Sequence, residues 1–205
     1  MARTNNLTDF LSDVADAIRT KKGTSETILA SDFDTEIENL PSGGGKYAPR
    51  AITFLNYKGN ELNNELSNLD ISNMTSFFQM FYGCENLTSL DLSQYNWDTS
   101  NITLFTSMFH NCKMVTSINI SNFTSANVTN MYGMFNYCQA LRHIDMRNMT
   151  FDNVTNYNTM FTNSAIPNDC EIIVKSQTEK TWITDKFPFL TNVKTVAEYE
   201  AEQNA

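Results

Sequence analysis

The stretch LTSLDLSQYNWDTSNITLFTSMFHNC, residues 87–112, holds one complete unit of a repeat. Its parts return along the chain. Met-Phe occurs at 80–81, 108–109, 134–135 and 160–161, at nearly even intervals. Three residues after the Phe comes Cys84, Cys112 or Cys138, with Ser164 in the last copy. Three further on lies Leu87, Val115 or Leu141. An alternating run follows: Leu90-Asp91-Leu92, Ile118-Asn119-Ile120, Ile144-Asp145-Met146. Asn101-Ile102-Thr103, Asn127-Val128-Thr129 and Asn153-Val154-Thr155 recur in the same register.

A unit of this size cannot bury its own apolar side. Stacked on neighbours, it shares a continuous core in which equivalent positions form columns. The predicted columns are Leu87/Val115/Leu141, Leu90/Ile118/Ile144, Phe81/Phe109/Phe135/Phe161 and Met80/Met108/Met134/Met160. Strand side chains alternate between faces. Leu90 and Leu92 therefore point inward, and Ser89, Asp91 and Ser93 outward. Upstream, Leu66, Leu69 and Ile71 match Leu87, Leu90 and Leu92 as a shortened first unit. Residues 52–55 are expected as a first capping strand and Ile172-Ile173-Val174 as the last.

The repeat resembles the BspA-type leucine-rich repeats of bacterial surface proteins. That resemblance implies a parallel β-solenoid of leucine-rich-repeat type whose usual role is binding.

Before the repeats, Leu7, Phe10, Leu11, Val14, Ala17 and Ile18 form one helical stripe. Gly23 can stop that helix. Ser31 then fits the N-cap of a second helix carrying Phe33, Ile37 and Leu40. Leu7, Phe10, Leu11, Val14, Ile18, Phe33 and Ile37 are the expected attachment or oligomerisation residues. Pro41-Ser42-Gly43-Gly44-Gly45 marks a hinge. The expected fold is thus α+β: a short N-terminal helical module (1–40), a Gly-rich linker (41–46), a leucine-rich-repeat-type parallel β-solenoid (47–175) and a C-terminal cap and tail (176–205). Trp182, Phe187, Phe189 and Leu190 belong to the cap, and the chain from about Glu198 is expected to fray. Residues 7–40 resemble a leader of structural and tail-fibre-like proteins from phages and prophages of Gram-positive gut bacteria.

Composition sets limits on partners. Apolar residues make up 41% of the chain, enough for a core. Fourteen basic against 23 acidic residues leave a net charge of −9, which repels nucleic acid and anionic membrane. Met1 to Asn6 are polar, so no secretory signal is predicted. Cys84, Cys112 and Cys138 follow the repeat, Cys170 falls off its register, and none belongs to a CxxC pair. All four are expected as buried packing thiols, in neither zinc nor disulfide. No catalytic residue, metal or cofactor is predicted. His110 and His143 have no partner in the sequence pattern and read as solvent-exposed. Asp70, Asp91 and Asp145 fall in one outward column with Asn119 between. Such a stack does not match the two carboxylates at set separation that glycosidases use. A weak cation site there is the other reading.

The function expected is a non-enzymatic phage virion structural protein, tail-fibre-like or receptor-binding, made in the host cytoplasm. Its expected partners are other virion proteins, sister copies in a homotrimer, and a host-surface glycan or protein. The candidate binding surface is the outward strand face: Ser89, Asp91, Ser93, Ser117, Asn119, Ser121, His143, Asp145 and Arg147. Tyr82, Tyr95, Trp97, Tyr132 and Tyr137 offer a second surface on the opposite side. The alternatives are a capsid or baseplate decoration protein without a receptor, and a bacterial surface adhesin of the BspA type.

Overall fold

The computed structural model describes residues 54, 57, 66, 69–161 and 166–205. The expected helices of 1–40 and the linker at 41–46 lie outside the described residues.

The body is a parallel β-solenoid of about three turns. Each coil contributes one short strand: β1 (Ser89–Asp91), β2 (Ser117–Asn119), β3 (His143–Asp145) and β4 (Glu171–Val174). A helix α1 (Gln177–Lys186), a strand β5 (Val193–Thr195) and a helix α2 (Val196–Gln203) complete the order. The sheet runs β1-β2-β3-β4-β5, all neighbours parallel. The expected last strand at 172–174 is therefore followed by another. The repeat pattern stops before β5, so nothing in the repeat points to it.

Repeat spacing becomes register. Leu90 pairs with Ile118, Ile118 with Ile144 and Ile144 with Ile172. A second ladder of isolated bridges joins Ser76, Leu104, Asn130 and Asn156. The predicted columns assemble in one interior. Met80, Met108, Met134 and Met160 are fully buried. The rings of Phe81, Phe109, Phe135 and Phe161 stack nearly parallel at 5.6, 5.5 and 5.3 Å. Phe54 extends this column upstream at 5.5 Å, without the preceding Met that flags the other copies. Offset-parallel rings at these distances add attraction beyond area burial.

Each repeat Cys thiol donates to the preceding coil. Cys84 Sγ lies 3.2 Å from the Phe54 carbonyl, Cys112 Sγ 3.0 Å from Phe81 O, and Cys138 Sγ 3.1 Å from Phe109 O. No disulfide joins them. The Asn-aliphatic-Thr corners form a similar ladder. Thr103 N–H donates to Thr75 O (2.9 Å), Thr129 to Thr103 O (3.0 Å) and Thr155 to Thr129 O (2.9 Å).

Trp97 is 8% exposed and packs against Phe77 and Phe123. It belongs to the core and not to the expected aromatic surface. Phe123, from the next coil, meets the indole and stacks in turn on Phe105, so the large ring fills space between coils. At the far end Trp182 of α1 stacks on Phe151 at 4.5 Å. Phe187 sets its edge on Phe161 at 5.0 Å and closes the phenylalanine column.

Candidate functional site

The nine candidate residues share the outward face of the sheet. Register places Ser89, Ser117, His143 and Glu171 in one column, and Asp91, Asn119, Asp145, Ile173 and Lys194 in the next. Ser93, Ser121 and Arg147 follow two residues after the second column. The face has two halves of different chemistry.

The half over β1 and β2 is small and polar. Ser89 and Asp91 are exposed, and Ser93, Ser117, Asn119 and Ser121 are half-buried. Asp91 Oδ1 accepts from Ser93 N–H (3.0 Å) and from Ser93 Oγ–H (2.6 Å). Asn119 Oδ1 accepts from Ser121 N–H (3.0 Å), and Asn119 Nδ2 donates to Ser93 Oγ (3.0 Å). Asp70 does the same for Ser72 N–H at 2.9 Å, and the Ser72 bonds hold its carboxyl below the ordinary range. Short acceptors that bond the backbone two residues on build turns. The Asp/Asn column is thus explained by turning the chain out of each strand. Those side chains are also held in fixed positions by the same bonds.

The half over β3 to β5 is ionic. Asp145 is 6% exposed, which departs from the outward, solvated position expected for it. Its carboxylate takes four bonds from Arg147: the backbone N–H to Oδ1 at 3.2 Å, Nε at 3.0 Å to each oxygen and Nη2 to Oδ2 at 2.6 Å. The side-chain bonds raise the Arg147 pKa, and Glu200 and Tyr199 add to the effect. His143 also departs from the solvated reading. Its Nδ1 lies 2.8 Å from Glu171 Oε2. Burial pushes the Glu171 carboxyl up, but bonds from Lys194 and His143 outweigh it and leave it below its ordinary value. The partner of His143 comes from the next coil, so a scan for pairs close in sequence does not find it.

His110 departs from the expected exposure as well. Its ring stacks on Tyr82 at 4.8 Å and meets the edge of Tyr137 at 5.3 Å. Burial lowers its pKa. Of the second proposed surface, Tyr132 and Tyr137 stay exposed, while Tyr82 and Tyr95 are half-buried.

Among the described residues, no group of three or more His, Cys, Asp or Glu side chains is placed to hold a metal ion. No described helix is long and apolar enough to cross a membrane. Burial drives the thiols away from reactivity: Cys138 and Cys170 are each pushed up to about 12. The arrangement offers a rigid polar surface and a buried core, and on its ionic half the charged groups pair with each other.

A parallel solenoid whose coils are set by Met-Phe-x-x-Cys and Leu-x-x-Leu-Asp-Leu has a counterpart among known families. Residues 51–172 match the family described as Mycoplasma protein of unknown function, DUF285. The chain belongs to this family. The matched region starts just before Phe54 and ends inside β4, so it takes in the β1–β3 coils and the polar half of the face. Family membership and the solenoid together fit a BspA-like repeat protein at the coarse level. No curated protein matches the chain, and no solved structure does.

Proposed function

We propose that this chain is a non-enzymatic structural protein of a phage particle, tail-fibre-like, whose solenoid presents a recognition surface. The observation that carries the recognition role is the polar half of the outward face. Ser89, Asp91, Ser117 and Asn119 stand on adjacent strands and Ser93 and Ser121 just past them, with the turn residues among them fixed by their own hydrogen bonds. Side chains already fixed lose little freedom when they bond a ligand. Short hydroxyl and amide groups suit a host-surface glycan or a polar protein patch. The virion assignment rests on the likeness of residues 7–40 to phage structural leaders, and attachment and trimerisation are assigned to that segment.

The second reading is a bacterial surface adhesin, favoured by the match to a family described from Mycoplasma. One experiment separates these and a second tests the face. Particles induced from the source bacterium are purified and searched for this chain by mass spectrometry; its presence at fixed stoichiometry supports the virion reading, and its recovery only from the cell envelope supports the adhesin. Full-length protein is then compared with Ser89→Arg/Ser117→Arg in host-cell pull-downs. These two serines take no part in the Asx turns. Equal binding by both proteins removes this face from recognition.

A further inference from the structure

The ionic half of the outward face is already occupied. Ile173 stands in the same outward column as Asp91, Asn119 and Asp145, yet it is fully buried and apart from the solenoid core. The helix α2 packs against β4 and β5 on that side. Its acidic side chains meet a strip of cations. Glu198 bonds Lys180 Nζ at 2.8 Å, Glu202 bonds Lys194 Nζ, and Glu200 lies 3.9 Å from Arg147 Nη1. Tyr199 sits under the Arg147 guanidinium at 5.9 Å.

The attachment is mainly electrostatic, beside the cover α2 gives Ile173 through half-buried Val196 and Tyr199. No residue of α2 is itself buried, and the side chains of Glu198, Glu200 and Glu202 keep 45%, 60% and 54% of their exposure. The side chains of Lys180, Arg147 and Lys194 are more covered, at 25%, 30% and 19% exposure, and such half-exposed pairs contribute modestly each and are screened by salt. Beneath the helix, Asp145 and Glu171 brace Arg147 and Lys194. Arg147 and Lys194 therefore keep their places when α2 leaves.

We propose that α2 is a displaceable internal occupant of a site for an acidic helical segment of a partner protein. The strip of Lys180, Arg147 and Lys194 around the apolar Ile173 forms that site. Displacement would open the face from β1–β2 to the whole sheet. This deepens the recognition reading by naming the partner chemistry of its ionic half. It is tested without any host or particle, so its failure is separate from failure of that reading.

The experiment uses full-length protein and the variant Glu200→Lys/Glu202→Lys, which leaves the Thr195–Glu198 cap intact. The probe is a synthetic peptide of residues 195–205. In the variant, amide exchange at 196–203 is expected to rise about tenfold over wild type, with β3 and β4 unchanged. At millimolar peptide, where a short tether holds its own segment, the amides of Arg147 and Lys194 should shift in the variant and not in wild type. About 0.5 M NaCl, or added Arg147→Glu, should abolish the shifts. Unchanged exchange overturns the proposal. So does release of α2 without peptide binding, or binding that survives both salt and Arg147→Glu. Shifts produced by a sulfated oligosaccharide but not by the peptide would overturn the partner class.

Discussion

At Gln79, Ser107, Gly133 and Thr159 the backbone turns through the left-handed region, with φ of 55°, 54°, 61° and 56°. These are one column of the repeat, the residue before each Met. Gly83, Asn111 and Tyr137 form a second such column. Only glycine takes this conformation without a Cβ penalty of about 1–2 kcal/mol. Thr159 is β-branched, and its Oγ1 is buried with no hydrogen-bond partner. Thr159→Gly is therefore expected to raise stability by about 1 kcal/mol in urea unfolding, after the entropy of glycine is set against the relief. Gly133→Ala should lower it by about 1 kcal/mol, through φ alone, since the nearest atom to a new Cβ would be Ser107 Oγ at 3.4 Å. His110 supplies a pH test. Burial depresses its pKa below the ordinary 6.5, so just below that value the unfolded chain binds a proton that the fold refuses. Stability should fall as pH drops from about 7 to about 5. His110→Phe keeps a ring over Tyr82 and should show a shallower fall in thermal midpoint over that range. An equal fall in both proteins would remove His110 as a contributor.

The elements differ in how they are held. The strands are too short to persist alone, and the columns behind them supply the stability. The helix α2 depends on its start. Thr195 Oγ1 accepts from Glu198 N–H at 3.2 Å, and Glu198 Oε2 accepts from Thr195 N–H at 2.8 Å. That capping box satisfies two donors at once. Thr195→Ala should cost α2 about 1 kcal/mol. It should appear as faster amide exchange at 196–203, with the global unfolding midpoint almost unchanged. A matching loss of global stability would mean that α2 folds as one unit with the solenoid. The same motif corrects the expectation of fraying from Glu198. Thr195-x-x-Glu198 is a cap signal readable in the sequence, and it outweighs the general tendency of chain ends to fray.

For the whole molecule, stability comes from coils that contact mainly their neighbours. Ser117 and His143 are paired in register on adjacent strands. Deleting residues 118–143 joins Ser117 to Ile144 and removes one coil without changing the phase of any column. The shortened protein is expected to fold cooperatively, with a lower thermal midpoint and a smaller denaturant slope, since less surface is buried. Deleting only 118–130 should abolish folding, because half a coil is lost and the register breaks. If both deletions were equally tolerated, the stacked-column account would be wrong.

The coil, its period and its interior were legible from the residue pattern alone. Met-Phe, Cys and alternating aliphatics recur at one spacing, and a repeat that buries one side per unit can be satisfied only by stacking. The burial of the apolar columns was legible along the whole repeat. The polar positions between them were less legible: His110, His143 and Asp145 lie within the repeat and are partly or fully covered. In the register of Asn101 and Asn127, Trp97 matches buried Phe123, a core signal that the strand register alone does not give, and β5 and α2 follow no repeat. Asp145 has the same place in its unit as exposed Asp91, but α2 approaches only the later coils. Ile173 fits a final strand by its sequence, yet its burial on the outer side depends on a helix that arrives only after β5. Local chemistry therefore set which face each side chain takes. Only the return of the chain end over the sheet decided which part of that face meets solvent.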